Sequence, residues 1–518
     1  MNGSDGRSET RLGAAARSVW AKSSSRDDSG AWLPLYQHMR DSADVAGYLW
    51  DAWLPGNVQQ SIADVVGGHA SARTLVAWLA GIHDIGKASP VFAEKVPELT
   101  GRMELHGLRL LAGNNSKRSQ HWTIGQVVLA SWLRDEHGFD RVRAYALGSV
   151  LGGHHGRPPG YAELHFFETS PRHIGVGEWS IARRELLEWM QSYTGADAFF
   201  RVWAGARFPR TVQVLLSAIV IMADWIASNT DFFPLLGSSG EASPARSDTA
   251  LRGLALTPGW VPEPPPREPR EHLLKRFPFM PSPRPLQVEL VEEAWRISSA
   301  GLMVVEAPMG SGKTEAALAA AEVLAHRFSC GGVLVALPTM ATTDAMFRRV
   351  KQWIEALPGG EELTATLAHG KAGLNDDYMA MPQSGTMSQI YDDDDERSSI
   401  AVAHSWLRGR KKGVLASFVV ATIDQVLFLA LKSRHLALRH LALAGKVVVV
   451  DEVHAADDYM RTYLRRVLHW LGAYGVPVIV LSATLPPAQR AELVEAYQRG
   501  SQHAGTPEPE GGDLDDWY

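Results

Sequence analysis

Ten of the chain's 29 prolines fall between Pro258 and Pro285, in VPEPPPREPR and FPFMPSPRP. Proline fixes φ and removes a backbone donor, so no central strand and no uninterrupted long helix can run through such a segment. The expectation is a loop and semi-rigid connector over residues 236–285 that divides the chain in two. A length of 518 residues agrees, because ordinary domains hold roughly 150 residues each.

The two halves differ in pattern. From Ala31 to Phe233 apolar residues recur at helical spacing, as in TVQVLLSAIVIMADWIAS from Thr211. SQHWTIGQVVLASWLRDEHG predicts a helix ending near Gly138. No convincing alternating strand is found there, and Gly237–Arg252, rich in Gly, Ser and Ala, reads as a loop. Beyond the prolines, short apolar runs at Leu302–Glu306, Val333–Leu337, Val447–Val450 and Val478–Leu481 alternate with helical stretches such as Glu315–Phe328. Buried parallel strands with crossover helices read this way. The fold class expected is multidomain, all-α over 17–235 and α/β with a mainly parallel sheet over 286–500. Residues 1–16 and the acidic stretch 501–518 are expected to be unfolded ends.

Composition, at 45% hydrophobic and 21% charged, excludes a wholly disordered, collagen-like or coiled-coil chain. The longest apolar run, around Val212–Met222, is broken by Gln213 and Ser217, so no membrane span is expected. MNGSDGRSETRLG lacks the apolar centre of a secretory signal. A single cysteine, Cys330, excludes an intrachain disulfide and suits a reducing cytoplasm. A net charge of −6 does not announce a nucleic-acid binder, so any such binding needs a local basic patch. Arg408–Lys446 offers one, with eight Lys or Arg residues (408, 410, 411, 412, 432, 434, 439, 446) against one acid, Asp424. An acidic run, YDDDDE from Tyr391, precedes it.

APMGSGKTE at Ala307–Glu315 follows an expected strand and opens an expected helix. Backbone N–H groups of Gly310, Ser311 and Gly312 can close around phosphates there. Lys313 would reach the β- and γ-phosphates, and Thr314 would ligate Mg²⁺. Ala307 stands where the strict pattern has glycine, but Gly310 and Gly312 keep the tight turn. VVVVDEVH at Val447–His454 delivers Asp451 to a strand end where it can hold Mg²⁺, and Glu452 can polarise an attacking water. In LSATLP, Ser482 and Thr484 can couple the nucleotide to neighbouring elements.

Taken in order, Gln287 in RPLQ, the phosphate loop, LPTMATTDA at Leu337, ATIDQ at Ala421, DEVH and SAT resemble the superfamily-two helicases. The resemblance implies a RecA-like lobe that takes ATP with Mg²⁺. It implies that Gln287 reads adenine and that Pro338, Thr339, Thr422 and Gln425 lie along a single strand's phosphates. Such motors need a second lobe bearing an arginine finger, worth roughly 10³–10⁵ in rate in related phosphoryl transfer. The sequence stops about thirty residues after SAT. The expectation is therefore an incomplete motor with poor hydrolysis, to which a separate chain would have to bring the missing lobe.

The first half carries a different chemistry. GIHDIGK at Gly81–Lys87 sets His83 beside Asp84, and GGHHG at Gly152–Gly156 adds His154 and His155. His38 in LYQHMRD and His121 in SQHWTIG lie on expected helices, and Asp224 is a carboxylate in an otherwise apolar one. Buried charge is costly unless paired or bound to metal. His69, His106, His137, His165 and His173 are read as structural. The order H…HD…H…HH…D on a helical background resembles the HD phosphohydrolase superfamily. By that resemblance His38, His83, Asp84 and Asp224 hold one metal, and Asp84, His121, His154 and His155 hold the other. Such ligands suit Fe, Mn, Co, Ni or Zn better than Mg²⁺. Two such ions clamp a phosphodiester. Lys87 would steady the phosphate, with a surface lysine capping the turn as the alternative.

The two halves in this order resemble the CRISPR-associated nuclease-helicase of type I systems, and VWAKS at Val19–Ser23 and FPFMPSPRPLQ at Phe277–Gln287 add to the likeness. That resemblance implies catalysis by His83, Asp84, Lys87 and Glu452. It implies single-stranded DNA as substrate, reeled with a 3′-to-5′ preference, and an RNA-guided surveillance complex as partner. Two other readings stay open: an HD phosphohydrolase of nucleotides with a regulatory ATP-binding lobe, and an inactive docking fragment.

Overall fold

The computed structural model describes residues 12–24, 30–110, 120–236, 242–254, 256, 258–359, 363–369, 372, 413–430, 434–455 and 458–503. The acidic run from Tyr391 and the basic residues 408, 410, 411, 412 and 432 lie outside them. The chain divides into two compact units, one mainly of Met1–Asp51 with Ile62–Ala255, the other of Ala52–Ser61 with Leu256–Met387 and Ala401–Tyr518.

The first unit is helical. Its helix His69–Ile82 buries Leu75, Val76, Trp78, Leu79 and Ile82, which leaves it no polar face over its last two turns. The helix His121–His137 ends as its spacing predicts, on Gly138 at φ 70°, whose N–H bonds the Leu133 carbonyl. Among the described residues β1 (Trp20–Ser23) runs antiparallel to β2 (Trp32–Pro34), and Trp32 also bridges Leu236. Strands of four and three residues are too short to leave an alternating signature, and β2 is held by burying Trp32 and Leu33 instead.

Several expectations are corrected in this unit. The helix Arg210–Ala227 is long and apolar enough to cross a membrane by length and composition, with mean hydropathy 1.5. Gln213 and Ser217 do not interrupt it, because their side chains bond the Phe208 and Gln213 carbonyls. It is 67% buried within the fold, as a core helix is. The expected unfolded start gives way at Ala14, where a short helix buries Ala16 and Gly13 N–H bonds Glu185. The expected loop after Gly237 contains a helix, Arg246–Leu254. Its Arg246 lies 3.0 Å from the wholly buried Asp41, a charge that requires such a partner.

Among its described residues the second unit holds six strands, β3 (Leu302–Glu306), β4 (Val333–Leu337), β5 (Ala365–Ala368), β6 (Phe418–Thr422), β7 (Val447–Val450) and β8 (Val478–Ser482). They lie in the order β3-β8-β7-β4-β6-β5, with every pair parallel. Helices such as Lys313–Arg327 and Met340–Glu355 make the crossovers. The motif loops therefore emerge together at the carboxyl ends of the strands, where ligands bind in open α/β sheets.

The proline-rich segment is not a bare connector. It forms the helix Pro269–Arg276, and Trp260, Leu273 and Phe277 enter the core of this unit. Arg276 and His272 reach the buried Glu322 at 2.7 and 2.8 Å. Prolines at the first positions of Pro269–Arg276 and Pro285–Arg296 cost no hydrogen bond, since those N–H groups have no helical acceptor. The basic stretch is corrected too. Lys446 is buried and donates to the Ala442 carbonyl at 2.8 Å, with burial lowering its pKa to about 7. Arg439 donates to Gln425. These two cations complete the fold rather than line an outer face.

Candidate metal centre and phosphate loop

The metal-ligand candidates come from five helices. His38 projects from Leu35–Ala52, and His83 and Asp84 end the run begun by His69–Ile82. His121 opens its helix, His154 and His155 follow Arg141–Gly152, and Asp224 sits in the last turn of Arg210–Ala227. They converge as two groups, His38, His83, Asp84 and Asp224, and His121, His154 and His155, with candidate ligand atoms in each within 4.8 Å of one another.

Asp84 joins the groups. Its Oδ2 lies 3.2 Å from His38 Nε2 and 3.4 Å from His83 Nε2. Its Oδ1 lies 3.2 Å from His121 Nε2 and 3.6 Å from His154 Nε2. Asp224 Oδ1 stands 3.4 Å from both His38 and His83. His155 Nε2 faces His121 Nε2 at 3.0 Å. This close approach depends on Gly86. A Cβ there would meet the His121 carbonyl oxygen at 1.9 Å and Gly125 N at 2.6 Å, so the HDIGK turn and the His121 helix fit only without a side chain.

The donor set fits metal ions. Nε2 of His38, His83 and His154 and Oδ1 of Asp84 are buried and make no well-formed hydrogen bond, although each has polar neighbours within 3.6 Å. Acceptors that converge without bonding one another are arranged as ligands. His83 Nδ1 lies 2.7 Å from the Ala80 carbonyl and His154 Nδ1 2.5 Å from that of Leu151. Donation to those carbonyls turns each Nε2 lone pair inward.

Electrostatics sorts the imidazoles. Burial lowers His121 to about 4, and burial together with His154 and His121 holds His155 well below its ordinary value. Both are neutral and ready to bind metal. Burial works against charge on His83, but Asp84 and Asp224 outweigh it and raise its pKa. Burial likewise opposes the Asp84 charge, yet Lys87 and His83 hold that carboxyl well below the usual range. Lys87 is buried, 2.8 Å from Asp84 Oδ2 and 3.2 Å from the Ala21 carbonyl, which excludes the surface-cap alternative.

A divalent ion at His83 Nε2 would compete with the proton that Asp84 and Asp224 favour there against the opposing effect of burial. Because the folded pKa is raised, that proton competes at neutral pH and weakens as pH climbs. Apparent metal affinity is therefore expected to rise with pH, by up to about tenfold per unit, with roughly one proton released per chain. Calorimetry in buffers of different ionisation enthalpy measures this, and a pH-independent affinity with no proton release would contradict it.

In the second unit Gly310 and Gly312, at φ 74° and 84°, bend the loop into Lys313–Arg327. Lys313 Nζ folds back on the Ala307 and Pro308 carbonyls, and Ser311 Oγ is buried without a partner. Gln287 is buried against the loop. Its amide accepts from Arg284 N–H at 2.9 Å and donates to the Gly312 carbonyl at 3.2 Å. Asp451, raised chiefly by burial and opposed in part by Lys313, accepts from Glu452 N–H at 2.8 Å. Glu452 adopts φ 53°, a conformation that a non-glycine residue holds at a cost. Ser482 Oγ meets His454 Nδ1 at 3.3 Å and the Thr484 carbonyl at 2.8 Å, which links SAT to DEVH. The register Leu337↔Thr422 sets Pro338 and Thr339 beside Thr422 and Gln425 at adjacent strand ends. Thr339 is exposed and caps the next helix, whereas Thr422 is buried.

Sequence reasoning missed two supports of the metal centre. One is the Ala21 carbonyl on Lys87, for which VWAKS was the available signal. The other is Arg183, buried, which donates to the carbonyls of Ala88, Ile174 and Gly175 and so braces the turn after HDIGK. A lone arginine on a helix gives no signal of that role.

The fold and site together define an HD-type metal centre followed by a nucleotide-binding α/β domain. Residues 20–233 match the family described as Cas3, HD domain, and residues 284–493 match the DEAD/DEAH box helicase family. The chain is 35% identical over 516 residues to the CRISPR-associated nuclease/helicase Cas3 of Streptococcus thermophilus, covering 93% of this chain and 53% of that protein. The structure of T. fusca Cas3-AMPPNP matches with TM-score 0.75 and 31% identity, over 96% of this chain and 53% of that one. A chain of a CRISPR RNA-guided surveillance complex, pre-nicking, matches with TM-score 0.66 and 28% identity, over 96% and 51%. By these matches the chain joins a Cas3 HD domain to a DEAD/DEAH box helicase domain, and it spans about half the length of the curated relatives it matches.

Proposed function

We propose that this chain is a metal-dependent nuclease for single-stranded DNA, joined to an ATP-binding helicase domain that acts on the same strand in CRISPR defence. The observation that carries it is Asp84, whose two oxygens face two separate imidazole groups. His38, His83, Asp84 and Asp224 would hold one divalent ion, and Asp84, His121, His154 and His155 the other. Of the metals such ligands suit, we propose Fe, Mn, Co or Ni. When bound, the pair supplies Lewis acidity and a water of lowered pKa. The protein's own part is positional. Lys87 keeps a positive charge beside Asp84, Gly86 admits the His121 helix, and Arg183 fixes the turn that carries both.

In the second domain Gly310, Ser311, Gly312, Lys313 and Thr314 would hold ATP phosphates, with Asp451 on Mg²⁺, Glu452 on the attacking water and Gln287 bracing the loop. Pro338, Thr339, Thr422 and Gln425 would follow the strand's backbone, and Ser482 and Thr484 would relay nucleotide state. The partner we propose is an RNA-guided surveillance complex, from the likeness to a chain of one. The compartment is a reducing cytoplasm, where Cys330 stays a buried free thiol. The competing nucleotide-phosphohydrolase reading is tested by offering nucleoside mono-, di- and triphosphates beside single-stranded oligonucleotides. Cutting of oligonucleotides with nucleotides left intact is expected; hydrolysis of nucleotides alone would overturn the nuclease reading.

A further inference from the structure

Trp122 directly follows His121 on its helix, and its ring lies 4.7 Å from that of His155 and 5.3 Å from that of His121. Among the described residues these histidines are its only aromatic neighbours, and its indole N–H makes no hydrogen bond and reaches solvent. It stands outside the apolar cluster that Ile124 and Val127, on the same helix, build with Val91, Leu164 and Phe167. Other tryptophans of the unit, Trp78, Trp132 and Trp203, are buried in mutual contact. This indole is half-buried, lies outside that cluster and borders the candidate metal centre. Indole faces stack on any nucleobase, whatever its identity.

We propose that Trp122 is a base platform: the nucleobase beside the phosphate held at the His121–His154–His155 group stacks on the open part of its indole. A base already stacked and paired in a duplex cannot turn onto that surface without cost, so the platform favours unpaired strands. This inference rests on the nuclease reading. Trp122 touches the substrate, and its neighbour His155 stays a ligand.

Kinetics on a single-stranded oligonucleotide separate this role from one of merely propping His155. Trp122→Leu is expected to raise KM about tenfold to a hundredfold. Its kcat and its bound metal should stay close to wild type, and Trp122→Phe should recover most of the loss. A single abasic nucleotide, walked along the oligonucleotide, should weaken wild-type cutting at one register and leave Trp122→Leu no worse there. Trp189→Leu, a loss of another half-buried tryptophan whose ring neighbours are Tyr193 and Tyr36 rather than a candidate ligand histidine, should cut normally. Loss of metal with kcat in Trp122→Leu, an unchanged KM, or the same abasic penalty in both proteins would overturn the platform. Folded, metal-loaded wild type that cuts no single-stranded DNA would instead remove the nuclease reading on which it stands.

Discussion

Replacing Asp84 by alanine is expected to empty both metal positions at once and to reduce DNA cutting by more than about a thousandfold. Removing one electrostatic stabiliser from a water-poor site already costs about 10²–10³. Asp84 is the residue whose two oxygens serve both groups, at 3.2 Å from His38 on one side and 3.2 Å from His121 on the other. His155→Ala, by contrast, touches only the second group and should leave one ion bound. Elemental analysis of the purified proteins gives the count directly. Asp84 also balances the charges of Lys87 and His83 in the interior. The alanine variant therefore takes from the buried Lys87 its carboxylate partner and leaves His83 with Asp224 alone, at a cost of about 3–5 kcal/mol. Asp84→Asn keeps the volume and part of the polarity, so loss of metal in a folded Asp84→Asn protein separates ligation from collapse. Retention of both ions in that variant would count against the shared-ligand arrangement.

Gly86→Ala should be nearly as damaging although it removes no chemical group. The added Cβ would sit 1.9 Å from the His121 carbonyl oxygen and 2.6 Å from Gly125 N. Both are backbone atoms and cannot rotate away, so the His121–His137 helix must retreat by more than an ångström to restore ordinary contact. Overpacking of that kind costs about 1–3 kcal/mol in stability. A misplacement of about 1 Å costs about a hundredfold in rate. The expected result is a folded protein with a lower melting temperature, a weakened second metal position and cutting down about a hundredfold. Gly101→Ala is the control, since a Cβ there meets nothing within 4 Å and lies in a helix. Equal activity of Gly86→Ala and wild type would mean that the turn and helix are free to separate.

The candidate ligands could be picked out because metal chemistry restricts residue type, and the structure brings these histidines and the two carboxylates Asp84 and Asp224 together. The phosphate loop was legible because backbone conformation restricts it to glycine, as φ 84° at Gly312 shows. The four strands read from apolar runs lie where they were placed, while β5 and β6 were not read as strands. Ala365–Ala368 is an edge strand of small residues with no apolar run to announce it. Proline density misled at Pro269–Arg276, because prolines at helix starts are compatible with packing and Leu273 and Phe277 carry the segment inward. Charge misled at Lys446, since sequence shows a cation but not the interior carbonyl that accepts its hydrogen bond. What pairing alone decides, such as Arg246 with Asp41 or Arg183 with three carbonyls, is set by tertiary distance and leaves no local pattern.

The most direct test of the central claim is cleavage of circular single-stranded DNA by the purified chain with Mn²⁺, Co²⁺ or Ni²⁺ and no ATP, run beside His83→Ala and Asp84→Ala. Circles lack ends, so any product reports an internal cut. Linearised and shortened DNA from wild type, and intact circles from both variants and from wild type with chelator, are the expected results. Intact circles from folded, metal-loaded wild type, or equal cutting by the two variants, would contradict the assignment of this centre as the nuclease.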